Sequence, residues 1–219
     1  LEKMQKQLKL VTLLIFVVGL IIVFSNSTYR MPGNQQNYEP IQPIDFSHRL
    51  HAGEMDIPCQ YCHYGASQSR HAGIPATSVC MNCHKYVSAT KEAFQLEEKE
   101  SVFEGRETES ITSVEISKIY EAMGYDSQGE PIEGKEGKSV EWVKVHNIPD
   151  FVFFSHKPHI TAGVDCTDCH GDVSSMERIK QTEDLSMGWC LDCHRKDHES
   201  LDNAPERTQL LLDCATCHY

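Results

Sequence analysis

Residues 46–63 read FSHRLHAGEMDIPCQYCH, and this stretch decides the fold because it ends in the pattern Cys-x-x-Cys-His. All ten cysteines of the 219-residue chain belong to five copies of that pattern. The copies are Cys59, Cys62 and His63; Cys80, Cys83 and His84; Cys166, Cys169 and His170; Cys190, Cys193 and His194; and Cys214, Cys217 and His218. In the attachment motif of c-type haem, the two thiols bind the haem covalently and the histidine binds its iron. The sequence therefore predicts five covalently attached haem c groups.

Zinc sites and disulfide frameworks are the alternatives, because both also use paired cysteines. Neither requires a histidine directly after every second cysteine. Histidine accounts for 12 of the 219 residues, so five such histidines arise by chance with odds below roughly one in a million. Haem attachment is therefore favoured over both alternatives.

The composition leaves little apolar material for a protein core. Hydrophobic residues make up 40% of the chain and aromatic residues 8%, and part of this content lies in an N-terminal apolar run. Five haems would supply much of the missing core. We therefore expect a mostly α-helical and irregular fold, with short helices and long loops around packed haems, plus one N-terminal transmembrane helix.

The N-terminal apolar run covers residues 10–24, and three lysines, the last of them Lys9, precede it. The uncharged stretch continues to Arg30, which gives about 20 residues and is enough to cross a bilayer. A signal-peptide core is the alternative for a run of this kind. We expect residues 1–30 to be a transmembrane anchor with its lysines in the cytoplasm. The remaining chain would then lie outside the cytoplasm, where bacteria attach haem c.

An internal repeat divides the rest of the chain. Residues 46–51 read FSHRLH and residues 154–159 read FSHKPH, and each segment precedes Ala-Gly and then a haem motif. The first cysteines of successive motifs are 21, 24 and 24 residues apart, except for an interval of 86 residues between the second and third motifs. This pattern predicts a dihaem module at residues 31–90 and a trihaem module at residues 142–219.

The stretch between the two modules, residues 91–141, is an acidic insertion. It holds 14 acidic and 6 basic residues, which is −8 of the total charge of −12. Apolar residues at helical spacing predict a short helix near residues 112–123, followed by a glycine-rich loop. The insertion is either a docking surface for a cationic partner or a solvated surface. The negative charge and the lack of a basic stripe argue against nucleic acid as a partner.

Histidines outside the motifs are candidates for the second axial ligand of each low-spin haem iron. They are His48, His51, His71, His146, His156, His159 and His198. The Phe-Ser-His-x-x-His pattern resembles small trihaem and tetrahaem cytochromes of the c7 and c3 type. That resemblance implies that the first histidine of each repeat ligates the haem attached just downstream, and that the second ligates a neighbouring haem. The assignments it implies are His48 opposite His63, His156 opposite His170, and His159 opposite His194, with His51 at another neighbour.

Three residues are candidates for the fifth distal ligand. His146 lies just upstream of the second module, whereas Met176 and Met187 lie where the c7 pattern has a histidine. A haem with methionine as its second ligand would have a high potential. Alternatively, both methionines pack against haem edges. His71 and His198 are interpreted as solvated or supporting residues.

The N-terminal apolar run and residues 48–84, 145–170 and 185–194 resemble the pentahaem cytochrome c subunit of alternative complex III. This resemblance covers nearly the whole chain except the insertion. In that bacterial respiratory complex the subunit lies on the periplasmic side of the inner membrane. Its neighbours are an integral-membrane quinol-binding subunit, an iron-sulfur subunit and a monohaem cytochrome. The resemblance implies relay of electrons from quinol to a cytochrome c or a terminal oxidase, with no catalytic residue in this chain.

Two other functions fit parts of the pattern. One is a stand-alone anchored quinol dehydrogenase that supplies a periplasmic reductase. The other is a multihaem reductase, which needs one iron with an open position. Seven spare histidines and two methionines are enough to occupy every second axial position, so the sequence favours electron relay.

Overall fold

The computed structural model describes residues 2–25, 35–199 and 210–218. Within these ranges the chain forms helices and loops without a β-strand, apart from two isolated bridges. The helices are α1 (Glu2–Ser25), α2 (Cys59–Cys62), α3 (Thr77–His84), α4 (Lys91–Glu104), α5 (Val114–Met123), α6 (His156–Thr161), α7 (Cys166–His170), α8 (Met187–Glu199) and α9 (Cys214–Cys217). A π-helical turn, Arg49–Glu54, and two 3-10 turns, Tyr64–Ser67 and Val173–Ser175, complete the list. The predicted class of short helices and long loops is confirmed.

Helix α1 is long and apolar enough to cross a membrane. Its 24 residues span about 36 Å at 1.5 Å per residue, against about 30 Å for the hydrocarbon core of a bilayer. The side chains of residues 3–21 are exposed. A signal sequence has the same length and composition. The end of the predicted anchor, residues 26–30, lies outside the described part of the chain.

The acidic insertion contains two helices that capping residues define. Thr90 accepts a hydrogen bond from the backbone of Ala93, and Gly105 ends α4 with a φ of 67°. Ser113 caps α5 in the same way, and α5 ends at Gly124 with a φ of 77°. Glycine adopts this left-handed conformation without strain, so both helices stop there. The structure confirms the helix predicted near residues 112–123, whereas α4 was not predicted.

Helix α5 joins the insertion to the second haem motif. Its apolar stripe buries Ile119 and Tyr120, and only 2% of the Tyr120 surface is exposed. The Tyr120 hydroxyl donates a hydrogen bond of 2.6 Å to the backbone carbonyl of His84. Burial raises the pKa of this hydroxyl, so it remains a donor at neutral pH. The insertion is therefore packed on the haem-binding part of the chain.

Few apolar side chains are buried in the described part of the chain. They are Ile44, Ala66, Ile119, Tyr120, Val145 and Met176. A chain of this length normally buries a much larger apolar core. The sparse core agrees with the expectation that bound cofactors supply much of the interior.

The two predicted modules contact each other closely. Gly53 lies against the backbone of Ser174, and a Cβ at residue 53 would overlap the Ser174 carbonyl oxygen. Gln42 exchanges two hydrogen bonds with the backbone of Val143, at 2.9 and 3.0 Å. Glycine at residue 53 is thus required by close backbone approach, and the repeated segments belong to one packed unit.

A nearly buried ion pair holds the loop after α4. Arg106 binds both carboxylate oxygens of Glu97, at 2.5 and 3.1 Å. The backbone N–H of Glu109 also donates to Glu97, at 2.8 Å. The Arg106 guanidinium, followed by this backbone N–H, lowers the pKa of Glu97 from 4.5 to about 2.

Replacing Arg106 with glutamine is expected to loosen residues 97–109 in a pH-dependent way. The folded pKa of Glu97 is below its ordinary value, so the pair contributes stability above pH 4.5 and loses that contribution as the pH falls towards 2. Hydrogen exchange followed by mass spectrometry should show faster exchange in Arg106→Gln than in the wild type at pH 7, and a smaller difference near pH 3.

Lys118→Gln is the matched control, because Lys118 forms an exposed pair with Glu115 and exposed pairs contribute little. Equal exchange of residues 97–109 in the wild type and Arg106→Gln at pH 7 would contradict the assigned role of the pair.

Candidate haem-attachment sites

Each pair of motif cysteines lies on a turn of helix. In α2, α7 and α9 the helix consists almost entirely of the motif, and α3 and α8 contain the other two copies. Residues three positions apart face the same side of a helix, so each turn presents both thiols to one ligand. The ten thiols form no disulfide. Among the described residues no group of three or more His, Cys, Asp or Glu side chains is placed to hold a bare metal ion.

Three motif histidines are oriented by a hydrogen bond to a backbone carbonyl. The Nδ1 atoms of His63, His84 and His194 lie 2.7 to 2.9 Å from the carbonyl oxygens of Gly73, Val87 and Leu211, respectively. Each imidazole must carry its proton on Nδ1 to donate this bond. The Nε2 lone pair then remains available to a metal, as in many metal-bound histidines.

Three candidate distal histidines also donate a hydrogen bond from Nδ1 to a backbone carbonyl. His51 donates from Nδ1 to the carbonyl of Ser47 at 2.8 Å, and His159 donates to that of Ser155 at 2.8 Å. His156 donates to the carbonyl of Arg70, also at 2.8 Å. The second histidine of each repeat thus uses the carbonyl four residues before it. The first histidine of the second repeat instead uses a carbonyl from the first module.

Distal and motif histidines form facing pairs. The ring centroids are 6.1 Å apart for His51 and His84, 6.4 Å for His156 and His170, and 6.2 Å for His159 and His194. Two imidazoles on opposite sides of one metal place their centroids about 6 Å apart, since each metal–nitrogen bond is about 2 Å and the ring centre lies about 1 Å further. These residues therefore fit a haem iron between them.

His48 belongs to the same surroundings as His63. Burial, followed by repulsion from His63 and from His51, lowers the pKa of His48 to about 4. Burial also dominates at His170, where it acts with His146 and other histidines to lower the pKa to about 4. Both imidazoles are therefore neutral at physiological pH, which is the form that ligates metals.

The three candidates for the fifth distal ligand differ in their burial and in their contacts. Met176 is buried, with 8% of its surface exposed, whereas Met187 begins α8 and is 61% exposed. The Nε2 atom of His146 lies 3.2 Å from the Nδ1 atom of His170. His71 is exposed on the surface. The side chain of His198 lies outside the described residues.

The fifth motif is held by the segment before the second repeat. Val152 forms a bridge with His218, and the backbone N–H of Phe153 donates to the Cys217 carbonyl at 2.7 Å. The ring of Phe151 stacks on His218 with centroids 5.9 Å apart. The last motif is thus packed against the start of the second repeat.

Neighbouring thiols connect the five motifs in one series. Cys80 of the second motif lies near Cys62 of the first, and Cys59 of the first lies near Cys166 of the third, since Cys62 and Cys59 add to burial in raising the pKa of these neighbours. Cys169 of the third interacts with the fourth motif, and Cys190 of the fourth interacts with the fifth. The order in space is second, first, third, fourth and fifth. Burial raises the pKa of five of these thiols, and that of Cys169 reaches about 11. The five are Cys62, Cys80, Cys166, Cys169 and Cys190.

Short helices and Cys-x-x-Cys-His turns with further imidazoles beside them are features of multihaem cytochromes c. Residues 152–219, which contain the last three motifs, match the family model described as cytochrome c7 and related cytochrome c. This part of the chain is therefore a multihaem cytochrome c domain, and haem c bound covalently is the cofactor of that family.

A curated relative is similar over most of the chain. It is the multihaem cytochrome c subunit of the menaquinone reductase of Nitratidesulfovibrio vulgaris. The two proteins are 25% identical over 226 residues, which cover 93% of this chain and 88% of the relative.

The groups that orient the histidines have no signal in the sequence. The carbonyls of Gly73, Val87, Leu211 and Arg70 accept the Nδ1 bonds. Every residue has a backbone carbonyl, so no residue type marks these positions. The contact between His146 and His170 also had no sequence signal, because the two are 24 residues apart.

The facing pairs predict the effect of removing one distal histidine. In His159→Leu, the haem at His194 should lose its second axial ligand and become high-spin. Electron paramagnetic resonance of the oxidised chain should then show a new high-spin ferric signal and the loss of one low-spin component. His71→Leu replaces an exposed histidine and serves as the control. An unchanged low-spin spectrum in His159→Leu would rule out the pairing.

Proposed function

We propose that this chain is the electron-transfer subunit of a membrane complex that exchanges electrons with the quinone pool, and that it carries five haem c groups. The observation that carries the proposal is the series of five motifs, in which the thiols of each motif lie close enough to those of the next to influence their pKa. Haem c supplies reversible one-electron chemistry at its iron. A continuous row of attachment sites is the arrangement that a relay requires.

Three of the proposed pairs of iron-binding histidines follow the ring separations and the Nδ1 bonds: His51 with His84, His156 with His170, and His159 with His194. The fourth, His48 with His63, follows the resemblance to c7-type cytochromes and the electrostatic effect of His63 on buried His48. A histidine opposite a histidine gives a lower potential than a methionine in that position. Four sites with two histidine ligands each would have similar reduction potentials. An electron moving along the row would then cross only small differences of potential.

The residues of the chain perform three tasks in this function. The cysteines fix the position of each cofactor. The carbonyl-bound imidazoles would hold the haem irons in fixed orientations, and a rigid ligand set would limit the rearrangement that accompanies electron transfer. The loops carry the backbone carbonyls that orient the imidazoles. No nucleophile, acid or base is needed.

The proposed setting is the periplasmic side of a bacterial inner membrane. Helix α1 has the length of a membrane span, and an anchor at residues 1–30 would hold the haem-binding modules, residues 31–90 and 142–219, near the bilayer surface. The acidic insertion, residues 91–141, packs on the first module through α5. Partners expected from the resemblance to alternative complex III are an integral-membrane quinol-binding subunit, an iron-sulfur subunit and a monohaem cytochrome.

Two directions of electron flow are candidates. The resemblance to alternative complex III favours flow from quinol to a cytochrome c or a terminal oxidase. The relative from Nitratidesulfovibrio vulgaris belongs to a menaquinone reductase, and it favours flow from a periplasmic donor into the quinone pool as the second candidate. Both directions use the same row of sites in this chain.

The number of haems is tested by intact mass. Mass spectrometry of the mature chain should show five covalent haems, one for each motif. The double variant Cys214→Ala with Cys217→Ala should carry four, because its last motif no longer has a thiol to bond the haem. A wild-type mass with fewer than five haems would contradict the proposal that every motif is occupied.

Membership in a quinone complex is tested by purification in mild detergent. The tagged chain should co-purify with an integral-membrane subunit. If electrons flow from quinol, a quinol analogue should reduce the haems of that complex. If electrons flow into the quinone pool, a quinone analogue should oxidise the reduced haems. The isolated chain should react with neither, since the quinone site is expected in the partner. Fast reaction of the isolated chain with quinol would instead identify a stand-alone quinol dehydrogenase.

A further inference from the structure

His146 is held firmly beside the third haem motif. The preceding Val145 is buried, with 7% of its surface exposed. The following residue, Asn147, donates its backbone N–H to the side chain of Gln181 at 3.4 Å, and Gln181 is fully buried. The position of the His146 ring is thus fixed from both sides.

His146 and His170 are in hydrogen-bond contact. The His146 Nε2 and His170 Nδ1 atoms are 3.2 Å apart. The ring centroids are 4.4 Å apart and the planes cross at 82°, so the edge of one ring meets the other rather than stacking on it. The pair differs from the facing pairs, whose centroids are at least 6.1 Å apart.

The donor and the acceptor follow from the chemistry of a ligated imidazole. When Nε2 of His170 binds an iron, its only proton is on Nδ1, so His170 is the donor. His146 must then accept with the single lone pair of its Nε2. That lone pair is no longer free to bind a second metal, which separates His146 from the distal histidines.

We propose that His146 is a positioning residue for the third haem: it accepts the Nδ1–H of His170 and increases the electron donation of that ligand to the iron. The inference rests on the proposed axial ligation by His170. His63, His84 and His194 donate to backbone carbonyls instead. An imidazole nitrogen is a stronger base than an amide oxygen, so it polarises the Nδ1–H bond further.

This role distinguishes the third haem from those of His63, His84 and His194, whose Nδ1 atoms donate to backbone carbonyls. Stronger donation from His170 stabilises the oxidised iron and lowers the reduction potential. The third motif lies in the middle of the series, between the first and the fourth. The residue therefore sets the potential at the point where the two modules meet. The sequence made His146 one of three candidates for the fifth distal ligand, and the geometry assigns it this different role.

Two variants of the full-length, haem-loaded chain test the proposal. His146→Leu removes the acceptor, whereas His146→Gln keeps an acceptor oxygen on a side chain of similar length. We expect His146→Leu to keep every haem low-spin and to shift the midpoint potential of one haem to a more positive value. His146→Gln should restore part of that shift. Redox titration monitored by electron paramagnetic resonance measures both the potentials and the spin states, and His71→Leu is the control.

Two results would overturn the proposal. A new high-spin ferric signal in both His146 variants would show that His146 is itself an axial ligand. Potentials in His146→Leu identical to those of the wild type would show that the contact does not reach the iron. Failure of the quinone-complex proposal is seen separately, in the co-purification experiment, because that experiment uses the wild-type chain and does not depend on His146.

Discussion

The hydrogen bond from an imidazole Nδ1 to a backbone carbonyl is the interaction on which the structure depends. It fixes the tautomer and the direction of Nε2 at both motif and repeat histidines, including His63, His84, His51 and His159. A carbonyl inside a long helix is already occupied by the helical bond. The chain supplies these carbonyls from loops and helix ends, such as those of Gly73, Val87 and Ser47, and its short helices and long loops provide many such positions.

The helix ends also explain how a chain with a sparse core holds its shape. Short helices are defined by their ends, as the Asp165 and Asp213 caps of α7 and α9 illustrate. Apolar burial contributes at few places, chiefly around Ile119 and Tyr120. A cofactor bonded to two thiols adds apolar contact area to the folded state, and binding to the folded state alone stabilises it. Folding and cofactor attachment are in this sense parts of one process.

Much of the fold was predictable from local patterns. The motif spacing required helical turns, and the apolar positions 116, 119, 120 and 123 marked α5. Helix α4 was missed because its sequence lacks a clear apolar stripe, and Phe103 is 92% exposed; its capping residues Thr90 and Gly105 define it instead. The carbonyl partners and the neighbour of His170 were not predictable, because they depend on how distant loops meet. The repeat indicated two modules without showing that they interlock.

The bond between the His156 Nδ1 and the Arg70 carbonyl has an evolutionary consequence. In the first repeat the corresponding Nδ1, that of His48, has no such acceptor in the described structure. The two repeated segments therefore differ at this point, and the second uses backbone supplied by residues near the first. This dependence prevents the second segment from being exchanged without the loop around residue 70. Recombination between homologues is constrained to keep the loop around residue 70 together with the segment that begins at residue 154.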